Sequence, residues 1–268
     1  MSVLLVLALI LFVLMRIIGG ERGTTSFLSL FLNLGVLFLA IMLMVNNANA
    51  ILVTLITCAV VSYINLFFVN GINIKTKMAL CSTGITIAIL FLLIVLFHQK
   101  AMIQGFGVEE IEEFNTFSFY VDVDYRVIGI CTMVMGTIAA LTDTAISISS
   151  AMNEVYVNNP LMKRSELSRS GITIGKDILG TTANTLLFSF IGGYLSLLLY
   201  FRDLNYSFGE AVNSKVFSSE ILATLIIGFG STLIIPITVW LTTRLLTKKY
   251  ESAKELVVEE EKTITSIA

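Results

Sequence analysis

Apolar runs of roughly 20 residues, the length needed to cross a bilayer core, alternate with short polar breaks along most of this chain. The pattern predicts helices near residues 2 to 18, 26 to 45, 50 to 69, 79 to 98, 126 to 150, 178 to 201 and 219 to 246. Strands of a membrane barrel alternate over about ten residues, so runs this long and unbroken exclude that architecture. The expected fold class is therefore all-α: a polytopic transmembrane helical bundle of about seven spans over residues 1–246. Residues 247–268, which include "EEEK", carry too little apolar surface to pack and are expected to form a charged, disordered cytoplasmic tail.

Composition sharpens this picture. The chain is 56% hydrophobic and only 13% charged, and its mean hydropathy is +0.90, so the bilayer is its main solvent. A net charge of -2 gives no footing for nucleic-acid binding. Cys58, Cys81 and Cys131 fall inside apolar runs without a paired spacing and read as packing residues. The N-terminal run "MSVLLVLALILFVLMRIIGG" has no basic residue before it and no small-residue cleavage site after it, so it reads as a retained helix.

Placing the N-terminus outside puts 13 of the 17 Lys and Arg residues on the inner side, which predicts an N-out, C-in topology. The longest outer loop then carries "EEIEEF". Tyr120, Tyr125, Tyr200, Phe201 and Trp240 fall near predicted helix ends, as interfacial aromatics do. Pro236 lies within the seventh helix and is expected either to kink it or to be tolerated there.

Two polar stripes interrupt this apolar background. In the fifth helix Gly136, Ala140, Asp143, Ser147, Ser150 and Glu154 recur at steps of three or four and so share a face. In the next segment Asp177, Thr181 and Asn184 share another, and Gly175, Gly180, Gly192 and Gly193 thin the helix. The short connection between the two helices makes them expected antiparallel neighbours with facing stripes.

Three explanations fit these residues. Asp143, Asn184 and their neighbours can hold helices together through hydrogen bonds worth about 0.6 to 2 kcal/mol each. Alternatively they line a pathway or cation site, since intramembrane carboxylates usually mark one. The available ligands are oxygens without His or Cys, suited to protons, Na⁺, Mg²⁺, Ca²⁺ or Mn²⁺; any metal would be held by Asp143 and Asp177. Finally, the inner stretch "MKRSELSRSGITIGKD" offers Arg169 and Lys176 to a lipid headgroup or phosphate at a helix start, or its basic residues merely set topology.

Around these stripes, "GTIAALTDTAISISSAMNE" (136 to 154) and "GITIGKDILGTTANTL" (171 to 186) resemble the paired motifs of the YibE/YibF-like family of bacterial membrane proteins. Asp143, Ser147, Ser150 and Glu154 match the first motif. Gly171, Gly175, Asp177, Gly180, Thr181, Asn184 and Thr185 match the second, with Lys176 standing where the family carries arginine. The sequence contains no large extracytoplasmic N-terminal region, so the resemblance implies a short, YibF-type member. It further implies a longer YibE-type membrane partner and a bacterial cell-membrane location, and specifies neither a substrate nor a cofactor.

No enzyme constellation accompanies these motifs. His98 is the only histidine and falls at a helix end; Glu109, Glu110, Glu112 and Glu113 form an outer acidic cluster. No cofactor is expected. The sequence thus predicts a transporter or permease-like component for a cation or small solute, embedded in lipid and paired with a YibE-type subunit or with itself. The competing expectation is a non-transporting assembly or scaffold subunit.

Overall fold

The computed structural model describes residues 3–103, 105, 124–160 and 162–267. The acidic cluster at Glu109, Glu110, Glu112 and Glu113, and Tyr120, lie outside the described residues. The described chain is helical: α1 (Val3–Val45), α2 (Ala50–Tyr63) running into a wider π turn (Ile64–Phe68), α3 (Ile74–Ala101), α4 (Tyr125–Asn158), α5 (Arg164–Asp203), the short α6 (Phe208–Asn213) and α7 (Lys215–Ile267). Six of these elements are long and apolar enough to cross a membrane.

The first of the six holds two passes. A straight helix of 43 residues would be about 65 Å long, twice the thickness of a bilayer core. At Gly20 the backbone leaves the helical region (φ 58°, ψ -131°), a conformation that glycine adopts without a Cβ clash. The chain folds back there, bringing the rings of Phe12 and Phe27 to 5.0 Å between centroids. Arg16 Nη1 donates to Thr24 Oγ1 at 3.3 Å across the bend. Gly23 presses against the Met15 carbonyl so closely that no side chain fits at that position. With α1 divided at Gly20, the described residues hold seven apolar helical segments, the number the hydropathy pattern predicts.

Local sequence sets several helix starts. Asn49 accepts from the Leu52 amide at 3.2 Å to begin α2. Asn73 and Thr76 cap one another reciprocally at the head of α3, each amide donating to the other's side chain at 3.0 Å. Asp124 accepts from the Arg126 amide at 2.9 Å and starts α4. The π turn is stitched by side-chain amides: Asn70 Nδ2 donates to the Asn65 carbonyl at 3.1 Å, and Asn33 Nδ2 of α1 donates to Asn65 Oδ1 at 2.7 Å.

α4 is the central helix and packs against α2, α3, α5 and α7. One core layer gathers Leu66, Leu90, Val134, Leu141 and Ile234; a second gathers Ile148, Met152, Leu167 and Val239. Glycines let the helices close on one another. A Cβ at Gly171 would stand 2.6 Å from Met152 Sδ and 3.0 Å from Val239 Cγ2, and one at Gly175 would meet Ile235. Gly180, Gly192 and Gly193, further along the same helix, face open space.

Two boundaries differ from the sequence expectation. α5 begins at Arg164, so the stretch expected as an inner loop is its first turns, and it continues without a re-entrant break through residues 171 to 182. α7 runs unbroken past Pro236 and on to Ile267, carrying helical backbone into the tail expected to be disordered. The α7 extension is rich in Lys, Glu and Ala, which favour helix in water as well as in lipid, whereas the Ser- and Gly-containing start of α5 is held by packing of Leu167, Gly171 and Gly175 against α4 and α7. Hydropathy registers the bilayer, not the end of the hydrogen-bond ladder.

Candidate functional site

The buried face of α4 carries Thr137, Leu141, Thr144 and Ile148. Turned away from it, Asp143 and Ser147 are exposed on the bundle surface. They meet α5 across a groove of about 320 Å³ lined by Ala140, Asp143, Thr144, Ser147, Ile178, Thr181, Thr182, Thr185 and Leu186. The expected adjacency of the two stripes is thus realised for Ala140, Asp143, Ser147 and Thr181.

Two of the groove's hydroxyls are oriented by the backbone. Thr181 Oγ1 donates to the Ile178 carbonyl at 2.8 Å, and Thr185 Oγ1 donates to the Thr181 carbonyl at 2.9 Å. With their protons committed, these oxygens retain only acceptor capacity. Among the described residues no basic side chain forms an ion pair with Asp143. One carboxylate, two acceptor-only hydroxyls and the further hydroxyls of Thr144, Ser147 and Thr182, which can donate or accept, form a polar surface whose single formal charge is negative.

The remaining sequence candidates lie elsewhere. Asp177 and Asn184 are exposed on α5 and do not line the groove, so a metal shared by Asp143 and Asp177 has no support in this arrangement. Among the described residues no cluster of three or more His, Cys, Asp or Glu side chains is present. Ser150 is half-buried outside the groove. Glu154 pairs with Lys75 of α3, Oε1 to Nζ 2.9 Å, so it bridges helix ends beyond the groove.

The expected anion site at Arg169 and Lys176 is also displaced. Both side chains are exposed, yet the N-terminus of α5 lies at Arg164, so the Lys176 amide falls well inside the helical ladder. At that terminus the Lys163 amide already donates to Glu166 Oε2 at 3.1 Å. Thr182 and Thr185 line the groove although neither belongs to the predicted stripe. Their signal was the threonine-rich run "GTTANT", which wraps hydroxyls around more than one face of a helix.

Long apolar helices packed about α4, with a carboxylate groove opening sideways between two of them, define a polytopic α-helical membrane protein. A family match described as YibE/F-like protein covers residues 7–248. The chain therefore belongs to the YibE/F-like family, and both motif stretches fall within the matched region. No curated protein and no solved structure matches the chain.

Proposed function

We propose that this protein is a transporter or permease-like component for a cation or small solute, with α4 and α5 forming part of its polar pathway. The observation that carries the reading is the groove's polar lining: Asp143, without an ion-pair partner among the described residues, lies across from Thr181 and Thr185 oxygens whose protons point to backbone carbonyls. Such a surface favours Na⁺, Mg²⁺, Mn²⁺, protons or a cationic solute over anions. The reading involves no catalytic step and no cofactor. It places the protein in a bacterial cell membrane, N-terminus outside and C-terminus inside, on the distribution of basic residues.

Flux into proteoliposomes across Na⁺, Mg²⁺, Mn²⁺ and protons tests it. Asp143→Asn should bring flux to background while membrane level and melting temperature stay at wild-type values. Undiminished flux in that variant would overturn the pathway.

A second reading rests on exposure. Asp143, Asp177, Thr181 and Asn184 all lie on the outer surface of the single chain. A carboxylate left against hydrocarbon costs about 2.5 to 3.5 kcal/mol, so a neighbouring membrane subunit covering α4 and α5 would relieve a real penalty. On this reading the chain is an assembly subunit for a longer YibE-type protein or for a second copy of itself. Asp143→Ala would then abolish co-purification of the complex, with no cation flux detected even for the wild type.

A further inference from the structure

A second cavity, of about 200 Å³, opens at the end of the bundle opposite the Lys75–Glu154 pair, where the last turns of α3 meet the first turns of α4 and α7. Its polar lining includes His98, Thr132, Ser219 and Glu220. Thr132 Oγ1 donates to the Ile128 carbonyl at 3.0 Å and Ser219 Oγ donates to the Val216 carbonyl at 2.9 Å. Two features of the groove therefore recur: a single carboxylate, here Glu220, and a pair of hydroxyl oxygens left with acceptor capacity alone, with Tyr125 also in the lining. Among the described residues Glu220 forms no ion pair. His98 is only 2% exposed, its ring lies against Gly129, and among the described residues its Nδ1 has no hydrogen-bond partner.

The two cavities share one face of α4. Thr132, Gly136, Ala139, Asp143 and Ser147 follow at steps of three or four, and all five are exposed. From Thr132 to Asp143 the helix rises about 16 Å, roughly half a bilayer core. Between them stands Gly136, where an added Cβ would meet only Ile227 Cδ1, at 3.7 Å.

We propose that the Glu220 cavity is a cation-receiving site at the far end of the same pathway. Its link to Asp143 rests on the transport reading given above; its own preference for positive charge does not. A carboxylate with hydroxyl oxygens binds cations loosely, and a site of passage must release what it takes up.

The test reads charge preference without requiring transport. Thr132→Cys is introduced with Cys81, the one exposed cysteine among the described residues, replaced by Ala. The full chain is placed in lipid nanodiscs and treated with a cationic or an anionic methanethiosulfonate reagent of similar size. The cationic reagent should react faster by about three- to tenfold, as expected for one nearby carboxylate in partly screened surroundings. Glu220→Gln should remove most of that preference. Arg126→Gln, which removes an exposed positive charge next to the lining residue Tyr125, should raise it. Opposite shifts in the two variants cannot come from general loss of folding. Equal rates for the two reagents, no response to Glu220→Gln, or a thiol inert to both reagents would overturn the proposal. Absence of wild-type flux would sink the transport reading and leave these rates unaffected.

Discussion

Lys75 Nζ stands 2.9 Å from Glu154 Oε1, joining the first turn of α3 to the last turns of α4. Glu154 closes the first family motif, yet its partner comes from a helix that carries neither motif. The Lys75 and Glu154 side chains are 29% and 64% exposed, so water screens the pair and its stabilisation is expected to be under about 1 kcal/mol. Ser149 Oγ, donating to the Lys75 carbonyl at 3.1 Å, holds the same junction from a more protected position. Glu154→Gln should therefore lower the melting temperature in detergent only slightly and leave cation flux near wild type, in contrast to Asp143→Asn. A loss of flux as deep as that of the Asp143 variant would place Glu154 in the pathway.

Gly171 and Gly175 carry a different kind of constraint. Both are buried where α5 crosses α7, and an added methyl would press on Met152 and Val239 in one case and on Ile235 in the other. Overpacking of this kind costs about 1 to 3 kcal/mol. Gly175→Ala should lower the unfolding temperature measurably, whereas Gly180→Ala, which meets open space, should be neutral or raise it through better helix propensity. Equal effects of the two substitutions in a thermal unfolding series would count against the packing assigned to α5.

Hydropathy located the seven passes because each had to be apolar over a bilayer's thickness. It left α5 starting well after Arg164, since residues 164 to 177 form helix without needing to be apolar. That Asp143 and Thr181 face one another across a groove was legible from helical spacing on adjacent antiparallel elements. Asp177 falls outside the groove because a shared helical face specifies a direction only to within a turn, and the groove is centred further round α5, at Thr182 and Thr185. Pairings such as Lys75 with Glu154, or His98 with Glu220 around one cavity, depend on which helix ends meet, and hydrophobic period carries no information about that.

The fold-back at Gly20 predicts a proximity that a continuous helix forbids. Phe12 and Phe27 have ring centroids 5.0 Å apart, whereas in an unbroken helix their positions would be separated by about 22 Å along the axis. A Phe12→Cys/Phe27→Cys variant lacking the native cysteines should cross-link within the chain under mild oxidation or with a short bifunctional thiol reagent. Gly20→Val should weaken that cross-link, because a β-branched residue is strained at φ 58°. A double-cysteine chain that stays uncross-linked while well expressed would mean that α1 does not turn back.

The junction before α7 is the place where acidity should act on structure. Ser207 caps the short α6: its amide and its hydroxyl each donate to Glu210 Oε2 at 2.7 Å, and the Glu210 amide returns a bond to Ser207 Oγ at 3.3 Å. Hydrogen bonds from the Ser207 hydroxyl and amide favour the ionised carboxylate and hold the Glu210 carboxyl below the usual glutamate range. A carboxyl depressed in the folded state contributes its stabilisation in full above its unfolded value and loses it as the pH falls through the folded one. Hydrogen exchange of the α6 amides should therefore be insensitive to this group at neutral pH and speed up relative to the intrinsic rate only as the solution becomes acidic beyond the ordinary glutamate range. Ser207→Ala removes the hydroxyl donor and should shift that loss of protection toward higher pH. If the acid transition in α6 protection is the same in wild type and Ser207→Ala, the cap does not set it.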